Sequence, residues 1–369
     1  MRGTPDMSQT LFDKILEMDN LESAFKQTQK GKGKYDADSM KFYSNLTYNL
    51  YELQERLRNG SYEFSDYINF KVYEPKEREI NAPHFEDKLV QLAINNIMKD
   101  LVQPKFIYDS YACIECKGTH KCVERISYFL RKASWQYGNT ATIIKIDIKK
   151  FYYSINRDIL KSHLPKIIKC KMTLNLIFKI IDSADIIDTI GLPLGNTLSQ
   201  ICANIYMNKL DQYCKRVLRL KYYIRYADDI VIVVENTERA NEILNNIRNF
   251  VKDVLDLKTN VNKTKIFPIE QGVNTVGFKI YKTHRLLRND SKRKIKRRVK
   301  AMPRLINEGR LTIAKAEQML NSWKGHSDYG CNFNFLKRLI ARNPFIYINE
   351  KGTLKISKNK LKGDECYAL

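Results

Sequence analysis

The stretch Tyr222-Tyr-Ile-Arg-Tyr-Ala-Asp-Asp-Ile-Val-Ile-Val-Val234 decides the fold. Two β-rich runs, Tyr222 to Arg225 and Ile230 to Val234, flank Tyr226-Ala227-Asp228-Asp229 and place two adjacent acids at the tight turn of a hairpin. Aspartate tolerates turn geometry and is readily solvated, so an Asp-Asp turn alone is ordinary. A third acid changes the balance. Asp147 ends the strand-like run Thr142-Ile-Ile-Lys-Ile146, where its carboxylate can sit beside the hairpin turn. Three converging carboxylates repel one another unless cations neutralise them, and hard oxygen ligands select magnesium or manganese over zinc or copper. The expectation is a site for two Mg2+ ions, with Mn2+ as a substitute, that activates a primer 3′-hydroxyl and stabilises a leaving pyrophosphate. Those are the demands of nucleotide polymerisation.

Outward from the acids, charge dominates the composition. The 369 residues carry 64 lysines and arginines against 41 aspartates and glutamates, a net charge of +23 that exceeds what solubility needs and points to a polyanionic partner. The densest block, Arg285 to Lys300, holds nine basic residues opposed only by Asp290. Ile295, Val299, Met302 and Leu305 recur at helical spacing there, which gives a helix with one apolar stripe and a basic remainder. Such a remainder is either a solvated face or a contact to nucleic-acid backbone.

Leu46, Leu50, Leu53 and Leu57 mark a scaffold helix that stops at Asn59-Gly60. Tyr67 to Ile80 is rich in β-branched and aromatic residues, and Phe85 to Leu101 returns to helical periodicity through Leu89, Leu92, Ile94, Ile97 and Met98. This alternation predicts an α+β chain. No apolar run reaches the length of a membrane span and Met1 to Thr10 has no apolar signal core, so a cytoplasmic protein with no membrane partner is expected. Eight unevenly spaced cysteines do not read as a disulfide framework, which predicts reduced thiols. Cys113, Cys116, His120 and Cys122 include zinc-type ligands, but they are compressed into ten residues and are not read as a zinc site. The tail after Pro344 is short and lysine-rich, too short for another enzyme domain.

Asp147 at its strand end, the loop Gly191-Leu-Pro-Leu-Gly-Asn-Thr-Leu-Ser-Gln200 and the hairpin Tyr226 to Asp229, in this order, resemble the palm of reverse transcriptases. The resemblance narrows to the enzymes of diversity-generating retroelements, whose central loop has an aliphatic residue, glycine, three residues and Ser-Gln. Leu194, Gly195, Ser199 and Gln200 fit that form. Supporting segments are Tyr73-Glu-Pro-Lys-Glu-Arg-Glu-Ile80, Tyr108-Asp-Ser-Tyr-Ala-Cys113, Lys117-Gly-Thr-His120, Thr283-His-Arg285 and Ser322-Trp-Lys-Gly-His326. Ala227 departs from the methionine or valine usual in the family, Ile114 from an arginine, and Thr275-Val-Gly277 from a Phe-Leu-Gly turn. These departures bear on the subgroup and leave polymerase chemistry untouched.

The resemblance implies an α+β right-hand polymerase. An N-terminal helical scaffold would cover 1–60, fingers 61–140, a palm with an antiparallel sheet and catalytic hairpin 141–284, with finger segments interleaved, and a basic helical thumb and tail 285–369. It implies RNA-directed DNA synthesis with Asp147, Asp228 and Asp229 as catalytic acids, which hold the metal ions together with the Ile148 backbone carbonyl. Lys76 and Arg78 would reach the triphosphate, Tyr152 would act as a steric gate against ribose, Gly195, Ser199 and Gln200 would meet the nucleotide, and Lys263 or Lys265 would lie near the pyrophosphate. Template and primer would be held by Leu194, Tyr226, Gly277, Arg285, Arg288, Lys292, Arg293, Lys296, Arg297 and Lys300.

The partners implied are a structured template RNA, the RNA/DNA duplex, dNTPs, and a small basic accessory protein or a second reverse transcriptase subunit. Copying in a diversity-generating retroelement is the leading role. A defence reverse transcriptase that copies a dedicated non-coding RNA against phage is the alternative. An inactive RNA-binding scaffold is a third reading, against which the intact acids argue.

Overall fold

The computed structural model describes residues 10–30, 36–73, 77–183 and 189–361. The chain begins with four helices, α1 (Leu11–Leu16), α2 (Met18–Thr28), α3 (Ala37–Tyr43) and α4 (Leu46–Arg58). As the leucine spacing predicts, α4 buries Leu50, Leu53 and Leu57 and ends with Asn59 as its cap and Gly60 at φ +78°. Strands β1 (Ile68–Val72) and β2 (Arg78–Ala82) form an antiparallel hairpin, with Ile68 opposite Ala82 and Val72 opposite Arg78. Every residue of β1 is exposed, so this hairpin buries little apolar surface of its own. Then come the helices α5 (Phe85–Val102) and α6 (Thr119–Tyr137).

The middle of the chain alternates β3 (Thr142–Asp147), α7 (Phe151–Ser154), α8 (Arg157–His163), α9 (Lys171–Asp182), α10 (Thr197–Gln212), β4 (Tyr222–Tyr226), β5 (Asp229–Val234), α11 (Thr237–Asp253) and β6 (Lys265–Pro268). The four strands form one sheet in the order β4-β5-β3-β6. In β5, Ile230 to Val234 are all buried without alternation, as expected of an inner strand covered on both faces. Helix α10 has apolar residues all round, from Leu198 to Leu210, and is correspondingly buried against α5.

A three-stranded antiparallel sheet follows, β7 (Val273–Thr275), β8 (Phe278–Ile280) and β9 (Arg285–Leu287). The remaining elements are α12 (Asn289–Asn307), α13 (Ile313–Asp328), α14 (Phe333–Ala341) and the hairpin β10 (Ile346–Ile348) with β11 (Leu354–Ile356). The apolar stripe of the basic helix α12 is buried at Ile295, Val299 and Met302, where it joins Leu320, Leu336 and Ile356 in one core cluster. Leu305 stays half-buried. Pro303 lies inside α12, which nonetheless continues to Asn307. The described part of the lysine-rich tail packs into the unit, where Phe345, Ile346, Leu354 and Ile356 complete this core.

The chain divides into two compact units, each assembled from separate segments. The first comprises Met1–Gly118, Lys145–Ile232 and Asn241–Lys265, and the second Thr119–Ile144, Val233–Ala240 and Ile266–Leu369. Helix α6, inside the 61–140 segment expected to form the fingers, falls in the second unit. No described helix is long and apolar enough to cross a membrane. The described cysteines are free thiols.

Candidate active site

The β4–β5 turn has two residues, Ala227 and Asp228, and Ala227 adopts φ +54°. A non-glycine residue in this region costs roughly 1–2 kcal/mol, so something must hold it there. The holder is Arg225, one turn-length back on β4. Its guanidinium is fully buried, grips Asp211 of α10 through Nε at 2.8 Å and Nη2 at 2.7 Å, and gives Nη1 to Asn204 Oδ1 at 3.0 Å and to the Ala227 carbonyl at 3.1 Å. Tyr223 donates its hydroxyl to the same Asp211 at 2.6 Å. The 108–113 segment runs along Arg225 on the backbone, with Arg225 N–H donating to the Asp109 carbonyl and Tyr111 N–H to the Arg225 carbonyl.

Asp147, at the end of β3, is buried, and Lys263 Nζ reaches both its carboxylate oxygens at 2.8 and 2.7 Å. Lys145 lies 3.6 Å from Asp229. The three acids interact. Burial, then Asp229 and Asp147, push Asp228 up to about 6, while burial raises Asp229 against the opposing pull of Lys145. Among the described residues no group of three or more histidine, cysteine, aspartate or glutamate side chains is gathered closely enough to hold a metal ion. Lysine ammonium groups instead share the carboxylate charge. Ile148 is buried and bridges Thr259, flanked by backbone bonds from Lys149 N–H to the Lys258 carbonyl and from Asn260 N–H to the Asp147 carbonyl.

The nucleotide-site residues fall around these acids unevenly. Phe151 is buried, Tyr153 is exposed and donates to the Glu79 carbonyl at 3.2 Å, and Tyr152 between them is half-buried. Burial, with Cys113 and Asp228 nearby, raises the Tyr152 phenol above its ordinary range. The 191–195 loop lies along α7, with Leu192 N–H bonded to the Tyr152 carbonyl at 2.8 Å. Its tip is tied to β2, where Asn81 N–H donates to the Leu194 carbonyl at 2.6 Å. Gly195 sits at φ +115°, and a Cβ there would stand 2.9 Å from the Asn81 carbonyl oxygen. The substitution Gly195→Ala should therefore push β2 away from the loop and cut polymerase activity at least about 10-fold, because strain of roughly 1–3 kcal/mol must be relieved by moving a backbone. Primer extension alongside a thermal melt checks this, and full activity in the variant would remove the tie's importance.

Other expected residues are placed differently from one another. Ser199 is buried in the first turn of α10, capped by the Asn196 side chain, whereas Gln200 is exposed. Of the two candidate lysines, Lys263 meets Asp147, and Lys265 is exposed at the start of β6. Arg78 opens β2 and is exposed, and Lys76 lies outside the described residues.

In the second unit, Val276 and Gly277 form the β7–β8 turn at φ +45° and +88°, and His326 of α13 lies where a Gly277 Cβ would approach it to 3.2 Å. Arg285, expected on template or primer, donates Nε to the Tyr329 carbonyl at 2.6 Å and lays its guanidinium 4.1 Å over the Tyr329 ring. It is half-buried there. His120 stacks on the other contact of that ring at 3.9 Å, which gives the Lys117 to His120, Thr283 to Arg285 and Ser322 to His326 segments one shared cluster. Arg288 and Arg293 pair with Asp290, while Lys296, Arg297 and Lys300 are exposed on α12.

Sequence reasoning missed Arg225, Asp211, Asn204 and Lys145. The signal was present in part, since Arg225 interrupts a strand-like apolar run and Asp211 ends a helix that is apolar all round.

The family sequence model described as Reverse transcriptase (RNA-dependent DNA polymerase) matches residues 71–280. The chain is 24% identical over 291 residues to the protein YkfC of Escherichia coli K12, covering 68% of this chain and 74% of YkfC. It is 23% identical over 303 residues to a COX1/OXI3 intron 2 protein of Saccharomyces cerevisiae, covering 64% of this chain but 34% of the yeast protein's length. It is 27% identical over 174 residues to the group II intron-encoded protein LtrA of Lactococcus lactis, covering 46% of this chain and 27% of LtrA. Among solved structures, apo telomerase from Candida tropicalis gives a TM-score of 0.47 at 14% identity, over 62% of this chain and 49% of that one.

Proposed function

The chain belongs to the reverse transcriptase (RNA-dependent DNA polymerase) family, and from that premise we propose that it copies an RNA template into DNA at the site formed by Asp147, Asp228 and Asp229. Its α+β architecture is that of the right-hand polymerases. The observation that carries the reading is the meeting of a strand-end acid with a two-acid turn, where burial and the neighbouring carboxylates, Asp147 among them, raise the proton affinity of Asp228 and Asp229.

Reverse transcriptases normally work with divalent metal ions, and the chemistry of three hard carboxylates suits such ions, which would displace Lys263 and Lys145 and draw the acids together. Asp147, Asp228 and Asp229 would hold the ions with the Ile148 carbonyl, magnesium being the ion we assign and manganese its substitute. Bound there, the ions would neutralise triphosphate charge and favour the deprotonated primer hydroxyl. The 3′-oxygen then bonds to the α-phosphorus as the bond to pyrophosphate breaks. The chain's own contribution is placement. Arg225 fixes the turn that carries Asp228, Lys263 and Lys145 balance the acids, and the Leu194–Asn81 bond sets the loop beside Tyr152.

Tyr152 excludes ribonucleotides in this reading, since a half-buried ring beside Asp228 leaves no space for a 2′-hydroxyl. Tyr152→Ala should raise ribonucleotide incorporation relative to deoxynucleotide by roughly 10- to 100-fold, the range a single steric contact supplies. Extension assays with each nucleotide set on an RNA template test both the activity and the gate. An unchanged sugar preference would discard the gate, and no extension by the wild-type protein would discard the function.

The finer role we propose is copying within a diversity-generating retroelement, supported by Leu194, Gly195, Ser199 and Gln200, with a structured RNA and a small basic protein or second subunit as partners. The intron-encoded relatives favour a second role, copying an intron RNA. Phage defence with a dedicated RNA would use the same chemistry. Sequencing the RNA that copurifies and the DNA made from it separates them. Substitutions concentrated opposite template adenines support the retroelement, and faithful copies of an intron count against it.

A further inference from the structure

The second unit holds a groove of about 440 Å³ between α12 and α14. One wall carries Lys296 and Lys300, four residues apart on α12, and the other carries Arg338 and Arg342, four apart at the end of α14. The floor is apolar, with Phe335, Leu339 and Phe345. No acid lines it. The contrast with the rest of this region is informative. Arg288 and Arg293 are paired with Asp290, and Arg304 and Arg310 with Glu308, whereas none of the four groove cations has an acidic partner among the described residues.

Like charges brought together over an apolar floor repel more strongly than they would in open solvent, and the arrangement is relieved by an anion. Two arginines at a helix C-terminus can be accounted for by the helix dipole alone, but that leaves Lys296 and Lys300 facing them unexplained. The volume narrows the occupant. A lone inorganic anion would leave most of the groove empty and the apolar floor bare, while pockets of this size suit a nucleotide-sized group. Phe335 supplies a ring for a base, already flanked by the ammonium groups of Lys292 and Lys296, each 5.6 Å from its centroid.

We propose that this groove binds single-stranded RNA, seating one nucleotide with its base on Phe335 and the adjoining phosphates on Lys296, Lys300, Arg338 and Arg342. In this reading it retains the template RNA strand between or before rounds of copying. The inference draws on the proposed function only for the choice of RNA as the polyanion, and its binding step does not involve the acids.

The test is titration of the full-length protein with a fluorescein-labelled 20-nucleotide oligouridylate over a range of salt, beside extension of a pre-annealed primer–template at saturating concentration. Arg338→Gln/Arg342→Gln should weaken oligouridylate binding at least about 10-fold and make log K against log salt shallower by roughly 1.4, the release expected from two phosphates of a single strand. Extension on the pre-annealed duplex should stay within about 2-fold, since base pairing there supplies the template without the groove. Phe335→Leu, which keeps an apolar side chain in place, should weaken binding several-fold with the salt slope unchanged.

Unaltered oligouridylate affinity and slope in the double arginine variant would overturn the proposal. So would an equal loss on the pre-annealed duplex, which would assign the arginines to the duplex instead. If the wild-type protein extends no primer yet the variants behave as expected on oligouridylate, the groove stands and the polymerase reading falls.

Discussion

The double variant Asp228→Ala/Asp229→Ala loses primer extension by roughly 10³-fold or more, as expected when the carboxylates of a metal-assisted phosphoryl transfer are removed at about 1.4 kcal/mol per decade. Its folded state does not weaken in step. Asp228 is pushed up to about 6 from 3.8 by burial and its acidic neighbours, so at pH 7 the native protein holds an anion that it would rather protonate. An acid with a raised folded pKa loses stability as pH climbs from its unfolded value through its folded one, here between 3.8 and about 6. Measured in chelator, the variant should therefore melt at or above the wild type at pH 7, and its advantage should shrink by pH 4. Full extension by a well-folded double variant would remove these acids from the chemistry, whereas normal biological function of a variant that extends no primer would restore the RNA-binding scaffold as the explanation of the chain.

The second large effect is structural. Arg225→Met should destabilise the protein by about 3–5 kcal/mol, because Asp211 is left as an unpaired charge in a site with no solvent exposure. The companion Arg225→Met/Asp211→Leu should recover most of that loss, since two apolar side chains of suitable volume are commonly as stable as a buried ion pair. The recovered protein should remain a poor polymerase. Nothing in it would hold the Ala227 carbonyl, and the turn would relax from φ +54° toward a less strained conformation that carries Asp228 away from Asp147. Denaturation curves and extension rates on the three proteins separate the two roles. A double variant that regains both stability and activity would show that Arg225 serves packing alone.

How much of this was legible beforehand follows from the range of the interactions. The acid hairpin, β3 and the helices α4 and α5 were visible because each is written in a local pattern, an alternation, a leucine stripe or a turn pair. Lys263 on Asp147 was not, since 116 residues separate them and any of several lysines could have closed the contact. Arg225 and Asp211 look like ordinary surface charges in composition, and only their common burial in the sheet–helix layer makes them a pair. The contact of Arg285 with Tyr329 was hidden for the same reason. The arginine's place in a basic block pointed outward to nucleic acid, while Tyr329, 44 residues away, draws it inward. Pro303 interrupts no helix here, because the packing of Ile295, Val299 and Met302 outweighs the lost hydrogen bond.

The hold of Arg225 on the turn passes through a backbone carbonyl, and that choice of atom shapes how this lineage can change. A carbonyl is present whatever side chain the residue bears, so position 227 can take any residue that accepts its conformation, and a small alanine serves there. Positions 211 and 225 enjoy no such freedom. Either one altered alone strands its partner's charge, so the pair can be exchanged only by two changes arriving together, and descendants should keep both or replace both.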